Sequence, residues 1–420
     1  VQSSSATTVM VIGFVNAGLM TLPQAVGVIM GANIGTTITA QLIAFKLTDY
    51  APIAVAVGVA MWIGAKNKKA KTYSEILIGF GILFIGMDMM GDGLKPLAHL
   101  PAFTNIMSSL KNPILGMLVG LGLTTIVQSS SASIGLLQAL AGEGLVSMHM
   151  AFPILFGENI GTTTTAMISS IGANKTAKRA AIIHFLFNVI GTLIFMTVLR
   201  YPIEWLVVSF SPDDVQRQIA NAHTSFNIIN VIIQYPFAML LVRAAEKLVP
   251  GVDDADMTES KYLDKRIIET PSIALGQAIR EAIRMGNMVL ENLTACKAVI
   301  LEDKIEGVDQ IFAREKSINK IQREITDYLV QLSNAPLSDE QHTDVNALLY
   351  VIGDIERVGD HIENITELAQ YKSENNLYFT PLAVEELSEM FSVCDEVFRT
   401  SIEAYRITDE AMARRVLVLE

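Results

Sequence analysis

Gln128-Ser129-Ser130-Ser131-Ala132 lies inside a long apolar stretch, and the same five residues open the chain as Gln2-Ser3-Ser4-Ser5-Ala6. A second motif downstream of each copy is repeated as well. Gly31-Ala32-Asn33-Ile34-Gly35-Thr36-Thr37 recurs as Gly157-Glu158-Asn159-Ile160-Gly161-Thr162-Thr163, and both second copies stand 126 residues after the first. Two motifs at one offset mark an internal duplication. In apolar surroundings, duplication is the pattern of membrane transporters, whose paired repeats meet around a site near the bilayer midplane. The site is therefore expected to be built twice.

Composition divides the chain in two. Of its 420 residues, the first 250 carry 14 Lys+Arg against 10 Asp+Glu, whereas the remainder carries 17 against 33, so the net charge of −12 comes from the second part. Of the 28 glycines, 22 precede residue 251, and Gly is more frequent in membrane helices than in soluble ones. The boundary is expected at Pro250-Gly251 and the acidic run Val252-Asp253-Asp254-Ala255-Asp256. This predicts a transmembrane domain over 1–249, an acidic linker over 250–270 and a helical bundle over 271–420. Cys296 and Cys394 stand alone, which suggests neither a disulfide framework nor a zinc site. The chain begins inside its first motif and stops within an apolar run, so it reads as a piece of a longer protein.

A spanning helix needs about 20 largely apolar residues. Candidates are 21–45, 75–94, 148–171, 180–200 and 223–242, with a shorter run at 51–65. Lys66, Lys68, Lys69 and Lys71 form one basic turn, and Lys175, Lys178 and Arg179 form another; both are expected to be cytoplasmic. Threading the chain between them requires 113–142 to be a re-entrant hairpin turning at Gln128–Ser131. Repeat 1 (about 1–50) then runs opposite to repeat 2 (about 75–175), with further spans over 180–245 and the second part in the cytoplasm. Beyond residue 300, Val308, Ile311, Ile318, Ile321, Ile325 and Leu329, and then Val345, Leu348, Ile352, Ile355 and Ile362, keep helical spacing. Ser338 with Gln341 is a capping-box signature. The fold class expected is all-α, a polytopic membrane protein with inverted repeats and re-entrant hairpins, followed by a cytoplasmic bundle.

A helix broken inside the bilayer exposes backbone groups that only protein or water can satisfy. One that restarts after a serine cluster aims free N–H groups, its positive dipole end and hydroxyls at the break, which is an anion site made without basic residues. No Lys or Arg occurs in 1–45 or 112–174, so co-bound cations must supply most of the balancing charge. Ser3, Ser4, Ser5, Ser129, Ser130 and Ser131 are the anion candidates. Gln2, Asn33, Thr36, Thr37, Gln128, Asn159, Thr162 and Thr163 offer the hard oxygens that suit sodium, and Glu158, where the first repeat has Ala32, adds a carboxylate. The alternative reading of these Ser, Thr and Gly residues is close helix packing. His184-Phe185-Leu186-Phe187-Asn188 and His223-Thr224-Ser225-Phe226-Asn227 resemble each other loosely, each near an expected helix start, and read as satisfied polar residues.

On the doubled Gln-Ser-Ser-Ser tips and Gly-x-Asn-Ile-Gly-Thr-Thr segments, residues 1–245 resemble the type II sodium-dependent phosphate cotransporter family. The resemblance implies coupled uptake of inorganic phosphate with sodium, without catalysis, in the cell inner membrane. The second part resembles the PhoU family through Glu315-Lys316-Ser317-Ile318-Asn319 and Asp354-Ile355-Glu356-Arg357-Val358-Gly359-Asp360-His361. That resemblance implies a regulatory bundle with a divalent metal at Glu315, Glu356 and Asp360, although Asn319 replaces the Asp of the first motif. Inorganic phosphate, sodium and the bilayer are the partners implied, with a homodimer or a cytoplasmic signalling partner through the bundle, and no nucleic acid. A membrane-anchored phosphate sensor without flux and a symporter of another small anion, such as sulfate, are the rival readings.

Overall fold

The computed structural model describes residues 2–45, 47–96, 100, 109–251, 260–302 and 304–419. Among these residues every regular element is a helix, and they divide into two compact units on either side of Asp253 and Asp254. The acidic run 252–256 and residues 97–99 and 101–108 lie outside the described residues.

In the first unit, α1 (Ser4–Asn16) starts on the first serine cluster, and α2 (Leu22–Gly35) and short α3 (Thr37–Ile43) carry the first Gly-Ala-Asn segment. Next come α4 (Ala51–Gly64) and α5 (Lys68–Leu94). The second copy is built from α6 (Pro113–Val127), α7 (Ser130–Gly142) and α8 (Met148–Ser169). Then α9 (Lys175–Ile194) continues through a π-helical turn into α10 (Arg200–Phe210), and α11 (Val215–Gln234) through a 3-10 turn into α12 (Ala238–Leu248). Their starts are written locally: the side chains of Asn67, Asn112, Asn174 and Asp214 each accept the N–H of a residue in the first turn, satisfying donors that a helix start leaves open.

Among the described residues, four stretches are long and apolar enough to cross a membrane: 22–43, 68–94, 175–210 and 215–248. The expected spans 180–200 and 223–242 are thus the middles of longer rods, because the flanking polar residues continue the helix instead of ending it. Lys68, Lys69 and Lys71 likewise lie in the first turns of α5 and not in a loop. The expected span at 148–171 forms as α8, yet it is not among the apolar four; its polar segment is buried among other helices and need not face lipid. The hairpin α6–α7 breaks at Gln128. With 15 and 13 residues, each arm covers roughly 20 Å at 1.5 Å per residue, short of a hydrocarbon core of about 30 Å.

Two apolar clusters fix these helices. One joins Val11 on α1, Ile29 on α2, Phe187 on α9 and Val242 on α12. The other stacks Phe152 and Phe156 on α8 against Phe195 and Phe226, with ring centroids 4.6 to 5.7 Å apart, the range of favourable aromatic pairs. Helices α6 and α8 touch backbone to backbone through Gly120, Gly157 and Gly161, where a β-carbon on Gly157 would stand 1.8 Å from the Met117 carbonyl oxygen.

The second unit consists of α13 (Pro271–Glu302), α14 (Val308–Ser333), α15 (Asp339–Glu374), α16 (Pro381–Ile407) and α17 (Glu410–Leu419). The Ser338 and Gln341 capping box is present in both directions. Ile311, Ile318, Ile321, Ile325, Leu329, Val345, Leu348, Ile352, Ile355 and Ile362 are buried, the stripe that the apolar spacing requires.

Candidate functional site

The two serine tips have one geometry. Gln2 and Gln128 both adopt the left-handed backbone conformation, at φ 57° and 56°. In each copy the following serine caps the next helix: Ser3 Oγ accepts the Ala6 N–H and Ser129 Oγ the Ala132 N–H, both at 3.2 Å. Gln2 and Gln128 are exposed, Ser3 and Ser129 half-buried, and Ser4 and Ser130 buried. An identical sequence has folded into an identical helix start twice.

The tips then reach across. Ser5 Oγ donates to the Thr162 carbonyl at 3.3 Å, so the first tip touches the second Asn-Ile-Gly-Thr segment. Ser130 Oγ lies 3.5 Å from Thr36 Oγ1, so the second tip touches the first segment. To within one residue the two contacts are each other's counterparts under the 126-residue offset. Thr36 Oγ1 also reaches the Gln2 carbonyl at 3.3 Å, which joins both tips and the first segment in one place. Asn33, Thr37, Glu158, Asn159, Thr162 and Thr163 of the same two segments are buried.

The hydroxyls fall into two chemical groups. Those of Thr37, Thr162 and Thr163 donate to carbonyls three residues back, at 2.7 to 2.8 Å. With its hydrogen committed, such a hydroxyl can offer only lone pairs. Ser3 and Ser129 instead accept at the cap, which leaves their hydrogens available for donation. Ser4 Oγ is buried without a protein partner, as are Asn33 Nδ2 and both carboxylate oxygens of Glu158. A buried carboxylate left in that state is costly unless a cation or a proton joins it.

Some expected members stand apart from the buried group. Gln2 and Gln128 are exposed; Gln2 takes part through its carbonyl. Repeat 1 also differs in packing: Gly157 and Gly161 press against α6, while Gly31 and Gly35 meet no atom within 4 Å. His184 and His223 lie in the middle of α9 and α11, not near their starts, and are fully buried without partners on either ring nitrogen. They are not the satisfied polar residues expected.

In the second unit, Glu315 on α14 is buried, with both oxygens unpartnered, and its carboxylate fits against α15 only because residue 359 is glycine, whose β-carbon would stand 2.7 Å from Oε2. Burial first, then the charges of Asp360, Glu363 and Glu356, push its carboxyl up to about 7. The donor set expected from Glu315, Glu356 and Asp360 does not close: among the described residues, no three His, Cys, Asp or Glu side chains are grouped to hold a metal ion. Physically, Asn319 leaves α14 with a single carboxylate in its motif.

The Na+/Pi-cotransporter family model matches residues 1–92 and 83–205, two overlapping segments that each contain one copy of the duplication. A PhoU domain matches residues 282–369. The chain belongs to the Na+/Pi-cotransporter family and carries a PhoU domain. Among the relatives of this chain, YjbB of Salmonella typhimurium, named for inorganic phosphate export, is 25% identical over 430 residues, covering 99% of this chain and 77% of its own. The uncharacterised Bacillus subtilis protein YqeW is 30% identical over 251 residues, 60% of this chain and 81% of its own. The rat sodium-dependent phosphate transport protein 2C is 41% identical over 95 residues, 21% of this chain and 16% of its own. No solved structure matches this chain. Family and apolar helices together make it a membrane protein of phosphate transport.

Proposed function

We propose that this chain is a sodium-coupled phosphate symporter of the inner membrane, with its PhoU bundle in the cytoplasm. The reading is carried by the reciprocal pair of contacts, Ser5 to Thr162 and Ser130 to Thr36, which joins two serine-capped helix starts and both Asn-Ile-Gly-Thr segments in one buried place. Phosphate is held by Ser3, Ser4, Ser5, Ser129, Ser130 and Ser131 together with the N–H groups that open α1 and α7. Sodium is held by Asn33, Thr36, Thr37, Asn159, Thr162 and Thr163, whose committed hydroxyls present lone pairs, and by Glu158. Each helix start offers about half a positive charge, so sodium makes up the remaining deficit in a pocket without Lys or Arg. The two repeats are inverted relative to each other, with alternating access by rocking one repeat against the other. Arg179 bonds the Val249 and Gly251 carbonyls, which supports one and the same side, the cytoplasmic one, for the basic turn at 175–179 and the end of α12.

With an inward sodium gradient, this coupling drives phosphate in. The match to YjbB over 99% of this chain, a protein named for export, favours a second reading in which net flux is outward. Radiolabelled phosphate movement in proteoliposomes with the sodium gradient imposed in either direction decides: influx that follows the sodium gradient supports symport, efflux independent of sodium supports the export reading, and binding without flux supports a sensor.

A further inference from the structure

A third element of the transport unit is built twice. In His184-x3-Asn188 on α9 and His223-x3-Asn227 on α11, the Asn Nδ2 donates to the His carbonyl one turn back at 3.0 Å. In both, the phenylalanine before the Asn is fully buried. Both also leave the Asn Oδ1 and the two imidazole nitrogens buried without a partner. Six unpartnered polar atoms in two identical sets are costly in a packed interior. Helix packing does not require them, since an apolar residue would fill the same space.

Their position says what they face. Asn227 Nδ2 lies 3.4 Å from Asn159 Oδ1, so the unpartnered oxygen belongs to an amide already touching the second Asn-Ile-Gly segment, next in sequence to the unpartnered carboxylate of Glu158. Turning the amide over changes which end touches Asn159 and still leaves one end free. Helix α9, with Asn188, packs against α2, which carries Asn33 and its buried, unpartnered Nδ2.

We infer that Asn188 and Asn227 are ligands of the coupling cations, one for each repeat, through their side-chain oxygens. This deepens the sodium-coupled reading and rests on it. A neutral carbonyl oxygen is a hard ligand, and with Glu158 the one acidic residue in the two Asn-Ile-Gly-Thr segments the charge suits a monovalent ion better than a divalent one. Because Ala32 replaces Glu158 in repeat 1, the Asn227 site is the tighter of the two.

The test is the sodium dependence of phosphate uptake by the full chain in proteoliposomes. Losing a hydrogen-bond-strength ligand to a charge is worth about tenfold or more in affinity. Asn227→Ala is expected to raise the sodium concentration for half-maximal uptake by about that factor, leaving phosphate half-saturation unchanged once sodium is saturating; Asn188→Ala raises it less. Asn227→Gln moves the oxygen by one methylene while keeping the amide, and is the second variant should alanine fail to reach the membrane. Unchanged sodium half-saturation in both Asn227→Ala and Asn227→Gln, or in Asn227→Gln where alanine does not fold, overturns the inference alone. A parent protein indifferent to sodium overturns the sodium reading and this assignment with it.

Discussion

Gly157→Ala asks whether backbone contact between α6 and α8 holds the site together. The added carbon would stand 1.8 Å from the Met117 carbonyl oxygen and 2.7 Å from the Leu121 nitrogen, where real contacts stay above 3.0 Å. The helices must therefore part by about 1.2 Å at this crossing, the difference between 3.0 and 1.8 Å. Overpacking of this kind costs about 1–3 kcal/mol. More important is what α8 carries: Asn159 and Thr162 come within the next two turns, and their contacts to Asn227 and Ser5 are 3.4 and 3.3 Å long, too long to survive a further ångström. Misplacing positioned groups by about 1 Å costs up to about 100-fold in rate, and phosphate uptake in proteoliposomes should fall by roughly 10- to 100-fold on that scale. Gly122→Ala, on the same α6 with no atom within 4 Å, is the control and should transport normally. Equal transport by Gly157→Ala and Gly122→Ala, with both folded, would refute the reasoning.

Ser129→Ala removes both the α7 cap and a free hydroxyl hydrogen; the cap alone is worth about 1 kcal/mol, and phosphate half-saturation should rise by roughly tenfold, with Ser3→Ala giving a matching defect, as read by uptake at fixed sodium. Glu158→Gln keeps shape but removes the charge, so sodium half-saturation should rise while protein yield holds or improves; unchanged sodium dependence counts against Glu158 as a ligand. For Glu315, the carboxyl is raised from 4.5 to about 7 in the folded bundle, so the folded state keeps a proton that the unfolded chain has lost. Stability is highest below about 4.5, falls as pH rises toward 7 and is flat above, by at most about 3 kcal/mol. Hydrogen exchange in α14, corrected for intrinsic rate, should show this slope in the parent and lose it in Glu315→Gln. Ser338→Ala should destabilise the start of α15 by about 1 kcal/mol, seen as faster exchange in its first turn.

The duplication was legible because it is a matter of identity: the same residues at the same offset need no geometry to be recognised. Helix type came directly from apolar spacing, and the bundle stripe at Ile311 to Ile362 needed nothing beyond it. Span lengths were less legible, since hydropathy marks only the most apolar part of a helix, while α9 to α10 and α11 to α12 continue past it through a π-helical and a 3-10 turn. The metal donor set suggested by Glu315, Glu356 and Asp360 did not close, because residues four apart share a helix face but say nothing about what the neighbouring helix offers. Asn188 and Asn227 were visible only as a loose resemblance, and their unpartnered oxygens became evident once both helices were packed.

From the order of residues alone came a helical chain in two parts, a duplicated membrane portion and a pocket without Lys or Arg. Whether the two serine tips meet was decided only by tertiary structure, because Ser5 and Thr162, like Thr36 and Ser130, lie far apart in sequence and no local preference links them. Local sequence sets where a helix starts and which side is apolar; which hydroxyl keeps a free hydrogen, and which carboxylate lies unpartnered in the interior, depends on the neighbours that packing brings.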